Sequence, residues 1–294
     1  GNTVKNNTQA GTGTFTGIDA GLGTNVNVYD NNVFNNTKTS PGTSSSTMFC
    51  IRASTGIVSS HDNAIYTNNI NTTGGASAGT IYGHYNAGSP PSETYYSNLI
   101  YDLNVTGTSS STSSVVYGMY SNPISSTVKN WSLNDIHDLN VTTTGGGSAH
   151  GIYTVTGITI NVFRNKVCNL SAGGAAGATN GIYISSGTTV NVYNNLVGNL
   201  YKPAVNAANA VNGINIAGGT TCNVYYNTVY LNATSTGALF SSNAVYASTS
   251  TTVTLRNNIL VNTSTPTGAG ITAAYRRSTT LLTSYGSASN NNFF

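Results

Sequence analysis

Apolar residues in this chain alternate with polar ones over short runs. In Val190-x-Val192 and Ile182-x-Ile184 they fall two apart, the period of a strand with one buried face. No window sustains the i, i+3, i+4, i+7 spacing of an amphipathic helix. β-branched and aromatic residues fill the runs, and Gly, Asn and Ser punctuate them, as strands bounded by turns require. The pattern predicts an all-β chain of many short strands.

The strands belong to a repeating unit. An asparagine in Val-x-Val-x-x-Asn-x-Val marks it, at Asn31, Asn63, Asn98, Asn134, Asn165, Asn195, Asn227 and Asn257. Two residues after each marker stands Val33, Ile65, Ile100, Ile136, Val167, Val197, Val229 or Ile259, all β-branched. A second marker, Gly-Ile-Tyr or a near variant, is centred on Ile18, Ile51, Ile81, Met119, Ile152, Ile182, Ile214, Val245 and Ile271. Ser/Thr/Gly stretches of varying length lie between the two. Fixed registers joined by elastic connections mark stacked coils with loops at their corners. A unit of about 30–36 residues has room for three short strands and three turns, each strand pairing in parallel with its copy about 4.8 Å along. Roughly nine such coils make a solenoid on the order of 40 Å long, expected as a single domain over residues 1–294. A propeller of WD type would need a longer period, about 40–45 residues.

The segment VNVYNNLVGNL at 190–200, followed by NGINIAGG, resembles the right-handed parallel β-helix repeat of the pectate-lyase-like superfamily. The uncharged Asn/Thr/Gly-rich form, with NVYNN and GIY in each coil, also resembles large secreted or surface repeat proteins of Bacteroidota. Many of those carry a C-terminal signal for type IX secretion. The resemblance implies a right-handed parallel β-helix over nearly the whole chain, a secreted or cell-surface location, and the secretion machinery as a partner. It implies less about activity, because this superfold hosts enzymes, adhesins and passive stalks.

Each lane of the repeat has a physical task. The marker asparagines suit a tight turn, since Asn tolerates left-handed backbone geometry. Stacked in register, their amides can also bond one another, as Asn ladders do in cross-β assemblies. The lane four residues on (Asn35, Thr67, Asp102, Asp138, Asn169, Asn199, Leu231 and Val261) fits the next turn. The β-branched and Ile lanes should line the interior, joined by Val28, Val162, Val192, Val224 and Trp131. Two aromatic columns remain. One holds Tyr82, Tyr120, Tyr153, Tyr183 and Tyr246, interrupted by Asn215; the other holds Tyr29, His61, Tyr96, Phe163, Tyr193 and Tyr225. Facing solvent, Tyr82, Tyr120, Tyr153, Tyr183 and Tyr193 would offer platforms for sugar rings. The alternative is that rings on adjacent strands stack on one another for stability.

Composition narrows the partners. Charged residues make up 6% of the chain, against about 25% in an average globular protein, so Ser, Thr, Asn and Gly must provide solubility. The net charge of +3 comes from ten basic residues spread along the chain, without the basic stripe that nucleic-acid binding needs. No apolar run is long enough to insert in a membrane. Cys50, Cys168 and Cys222 lack metal-ligand spacing, so they are expected as small buried thiols, and no cofactor is expected. The chain opens with GNTVKNN and stops at NNNFF in mid-pattern, as a piece of a longer protein would.

Catalysis has little to draw on. Lyases on this scaffold need Ca²⁺ held by acidic groups plus a Lys or Arg base, and hydrolases need two or three carboxylates around the scissile bond. The acidic inventory is Asp19, Asp30, Asp62, Glu93, Asp102, Asp135 and Asp138. Asp102 with Asp138, and Asp30 with Asp62, share lanes on adjacent coils, about 5 Å apart, close enough to push one pKa upward. No third carboxylate converges on either pair, so Asp in place of Asn at turns is the favoured reading. His61, His84, His137 and His150 fall in different lanes and are expected at surfaces or turns. The expected function is a non-enzymatic structural or adhesive segment (stalk, sheath or adhesin), with surface polysaccharide or further copies of itself as partners. Its rivals are a polysaccharide lyase or glycoside hydrolase and a glycan-binding module. Ice binding would want a flat, regular Thr lattice, whereas the Thr residues are read as lying mostly in uneven loops.

Overall fold

The computed structural model describes residues 1–294 apart from 87, 89, 124–126, 249–250 and 281–282. Among the described residues the strands form three parallel sheets of eleven, nine and eight members. One coil gives one strand to each: Leu99–Gly107 to the first sheet, Ser114–Ser121 to the second and Val128–Ser132 to the third. Each pairs in register with its counterpart one coil on. The fold is an all-β parallel solenoid of about eight turns, close to the nine expected.

The interior follows the lanes with three register corrections. Val33, Ile65, Ile100, Ile136, Val167, Val197 and Val229 are buried and stack strand to strand. In the next coil Val229 pairs with Leu260, and Ile259 is exposed instead. The Ile lane slips similarly. Ile51 pairs with His84, and His84 with Met119, so Ile81 lies three residues early, beside Met48 and Val116. Val245 pairs with Tyr275, and Ile271 is exposed.

The cause of that second slip is a bend in the second sheet. Gly83, Gly118, Gly151, Gly181 and Gly213 press against the β-branched lane of the first sheet. A Cβ on Gly151 would stand 2.3 Å from Val167 Cγ1, and one on Gly181 2.4 Å from Val197 Cγ1. The residue after each glycine and the residue two before it both face inward, so Ile81 and His84 are both buried, and either suits an apolar-then-Tyr motif.

The marker asparagines form a buried ladder through the solenoid. Each donates its backbone N–H and Nδ2 to Oδ1 of the next, as in Asn165 to Asn195 at 3.0 and 3.0 Å and Asn195 to Asn227 at 3.0 and 2.9 Å. Nδ2 gives its second proton to a third-sheet carbonyl in the preceding coil: Asn134 to Tyr95, Asn165 to Trp131, Asn195 to Val162. Every donor and acceptor of the amide is thereby used. Two expectations change here. The ladder passes through Asn258, which accepts from Asn227 and donates to Asn292; Asn257, expected on it, stands one residue too early. The left-handed residue of the turn is also the one before each ladder asparagine: Asp30, Asp62, Ser97, Leu133, Arg164, Asn194, Tyr226 and Asn257 have φ of 53–58°. The ladder asparagine itself is the hydrogen-bonding post. The next lane behaves as expected at Asn35, Thr67, Asp102, Asp138, Asn169 and Asn199, all left-handed. Leu231 breaks it, being buried and paired with Asn262 in a strand that lacks the turn residue.

Candidate functional site

Three places gather chemistry-bearing side chains. The first is the outer crease of the second sheet, where the glycine bend tips two aromatic columns toward each other. Phe49, Tyr82, Tyr117 and His150 share one column, and Tyr85, Tyr120, Tyr153 and Tyr183 the other. Tyr82 therefore leaves the column expected for it, and Tyr85 takes its place. Tyr120 stacks on Tyr153 at 5.4 Å and Tyr153 on Tyr183 at 4.4 Å. Across the crease Tyr82 meets Tyr85 edge-on at 4.7 Å and Tyr117 meets Tyr120 at 4.9 Å. Each of these rings lies against a neighbouring ring. Burial pushes the Tyr153 hydroxyl up to about 12 and raises Tyr82 and Tyr117 further. Toward the C-terminal end the crease turns from aromatic to amide: Asn180 lies beside His150, Asn212 donates to Asn180, and Asn243 to Asn212.

The second place is the outer face of the third sheet. Tyr29, His61, Tyr96, Ser132, Phe163, Tyr193, Tyr225 and Arg256 succeed one another in register. Two residues earlier, on four successive strands, runs a surface amide ladder, with Asn161 donating to Asn130, Asn191 to Asn161 and Asn223 to Asn191, each at 2.8 Å. Thr159, Thr189, Thr221 and Thr252 form a further column. The expectation that threonines sit mostly in loops fails for these four. Phe163 and Tyr193 stack at 4.9 Å and 2°. Between Tyr193 and Tyr225 the face opens into a groove of about 280 Å³ lined by Asn191, Tyr193, Asn194, Tyr225 and Tyr226.

The third place is inside. Glu93 and Lys129, adjacent on paired strands, point into the core and are fully buried. Ser121 Oγ donates to Glu93 Oε1 at 2.7 Å. Lys129 Nζ donates to Thr154 Oγ1 and to the Ser121 carbonyl, and lies 5.4 Å from the Trp131 ring. His84, also fully buried, packs on Tyr95 at 4.2 Å with neither ring nitrogen hydrogen-bonded. Burial raises the Glu93 pKa, against Lys129 and Ser121, and lowers Lys129, against Glu93. Burial also holds His84 down at about 3. The lanes hid this cluster because it occupies positions that in neighbouring coils hold apolar side chains such as Val58, Ile160, Ile51 and Met119. The one signal was the pair Glu93 and Lys129 at equal offsets before Asn98 and Asn134.

The other sequence candidates are tied to neighbours along the chain, to the next coil or into turns. Asp62 Oδ2 bonds His61 Nδ1 and Asp138 Oδ2 bonds His137 Nδ1, each at 2.7 Å. Asp102 accepts from Asn104 at 2.7 Å, and Asp135 pairs with Lys166 at 3.1 Å. Asp30 holds the left-handed turn before Asn31. His61 and His137 thus lie at the surface, whereas His84 and His150 are buried, against expectation. All three cysteines are free; Cys50 and Cys222 are buried, and Cys168 is half-exposed on the outer column between His137 and Gly198. Among the described residues no three His, Cys, Asp or Glu side chains are placed to hold a metal ion.

Compared with protein-family models, with curated proteins and with solved structures, the chain matches none. What stands is the parallel solenoid and its asparagine ladders.

Proposed function

We propose that this chain is a non-enzymatic structural or adhesive segment of a secreted or cell-surface protein, a stiff spacer whose outer faces make the contacts. The observation that supports it is where the polar side chains go. Ladder amides bond coil to coil, the carboxylates of Asp102, Asp138 and Asp135 bond a residue one or two along the chain or the next coil, and the Glu93–Lys129 cluster is sealed in the core. Side chains committed in this way hold a lattice together. The resemblance to pectate-lyase-like and Bacteroidota surface repeats adds right-handed winding and type IX export to the reading.

The test is turnover by the full chain on a panel of acidic and neutral polysaccharides, with and without Ca²⁺. We expect neither unsaturated products nor new reducing ends. Cleavage that disappears in Asp102→Ala or Asp138→Ala would replace this reading with the lyase or hydrolase. For location, the protein is expected in the surface or culture fraction of cells that make it, and blocking type IX export should leave it inside.

A further inference from the structure

We propose that the groove between Tyr193 and Tyr225 is a subsite for one neutral pyranose unit of a surface glycan. The proposal deepens the adhesive reading and rests on it. Along this column aromatic neighbours stack closely: Tyr29 on His61 at 5.3 Å, His61 on Tyr96 at 4.5 Å, Phe163 on Tyr193 at 4.9 Å. Tyr225 departs from that habit. Its hydroxyl donates to Asn223 Oδ1 at 2.9 Å, and the Arg256 guanidinium lies 5.7 Å from its ring on the far side. Held from both directions, Tyr225 leaves the face of Tyr193 open, and the groove is the gap.

Tyr226 supplies the third wall at a conformational cost. It has φ of 57° and is 56% exposed, at the turn position where the adjacent coils have Asn194 and Asn257. A bulky side chain is held left-handed there against a penalty of roughly 1–2 kcal/mol, with its ring out beside the groove. Leu133 and Arg164 hold the same turn left-handed in other coils, so the strain alone marks no site; what sets Tyr226 apart is its exposed ring in the wall of the groove.

The lining selects the ligand. Three phenol rings make the lining mostly apolar, beside Asn194 and beside Asn191, which keeps one N–H and one lone pair outside the amide row; none of the five is charged. A pyranose has the matching form, with C–H groups on its faces and hydroxyls around its edge. The cavity, about 280 Å³, lies just below the roughly 300–1,000 Å³ of sites for drug-sized ligands, which suits a single ring. One such ring should bind with a dissociation constant on the order of millimolar, and useful adhesion would come from many copies along a surface.

The experiment is saturation-transfer NMR on the full chain with methyl glucoside, methyl galactoside and methyl mannoside, beside galacturonate and phenol. We expect transfer to ring C–H protons of at least one methyl pyranoside, falling at least fivefold in Tyr193→Ala and in Tyr226→Asn. The second variant also relieves the left-handed strain, so its melting temperature should hold or rise, and lost binding cannot be blamed on unfolding. An unchanged signal in Tyr226→Asn overturns the subsite. So does binding of galacturonate alone with dependence on Arg256, or an equal response to phenol, which would make the groove merely greasy. If a glycan array shows binding that Tyr153→Ala with Tyr183→Ala abolishes while Tyr226→Asn does not, the adhesive reading survives and this subsite fails.

Discussion

The two inward lanes of the third sheet are filled in two different ways. Around Glu93 and Lys129 they carry a carboxyl, an amine, Tyr95 and Trp131; one and two coils further on they carry Ile160, Val162, Val190 and Val192. Yet the strands around both fillings have the same five-residue length and continuous parallel register. The ladder asparagine beside each bonds a third-sheet carbonyl at nearly one distance, Asn134 to Tyr95 at 3.0 Å and Asn195 to Val162 at 2.9 Å. The lattice of backbone and amide bonds therefore sets the coil, and the filling adapts to it. Solenoid energetics, a sum of coil and neighbour terms, make such local exchange affordable.

The comparison breaks most sharply at the ladder. Asn134→Ala and Asn195→Ala should each cost about 3–5 kcal/mol, since each strands a buried carbonyl and the donors of the coil before, and takes one of two bonds from the next Oδ1. Chemical denaturation of the two variants should agree within about 1 kcal/mol if the lattice is indifferent to its filling. A much larger loss at Asn134 would mean that the polar cluster leans on its ladder post.

Next in size is the buried pair. Lys129→Ile alone should destabilise by about 2–4 kcal/mol, because Glu93 keeps its burial and loses its cation. Adding Glu93→Val, which copies the flanking Val58 and Ile160 of the same lane, should bring stability back to within about 1 kcal/mol of the parent. A double variant no better than the single would show that the two coils are specialised around these charges.

How much of this was legible follows from what each lane repeats. Backbone pairing needs a period, and the period was plain in the asparagines and β-branched residues. The last coil was misread because its marker is doubled, Asn257-Asn258, and because Leu260 breaks the β-branched rule that pointed to Ile259. The crease was half legible. Tyr120, Tyr153 and Tyr183 follow the motif, but the bend at glycine gives two inward and two outward positions per coil, and His84-Tyr85 hid behind Ile81-Tyr82. Glu93, Lys129 and His84 could not be placed by type, since an ionisable residue reads as surface until the register assigns it. The groove at Tyr193 depends on which way Tyr225 turns, and no spacing encodes a rotamer.

His84 is a smaller and separable test. Its neighbours in the lane are Ile51 and Met119, so His84→Met should stabilise the chain by about 1–3 kcal/mol by removing two unsatisfied buried nitrogens. The effect grows in acid. His84 titrates near 3 in the fold and about 6.5 unfolded, so between these values the unfolded chain binds the extra proton. Its contribution to stability is then lost as pH falls through that window. His150, also held near 3 by burial, adds the same sign, whereas Glu93, raised by burial, acts oppositely above its unfolded value. Stability measured against the parent isolates the His84 share: the difference between them should widen steadily from pH 7 to pH 4. A constant difference would mean that the histidine is already charged in the fold.

The least effect is expected where a ladder faces water. Asn161 lies in the surface amide row, donating to Asn130 and accepting from Asn191 at 2.8 Å, distances matching those of the buried ladder. Its burial differs: Asn161 is half-exposed, and water can take up whatever partners its removal frees. Asn161→Ala should therefore cost less than about 1 kcal/mol, several-fold below Asn195→Ala, although each deletion breaks an inter-coil amide row. Equal losses would place the strength of the solenoid in amide stacking itself; the expected gap places it in the price of leaving a buried carbonyl unpaired.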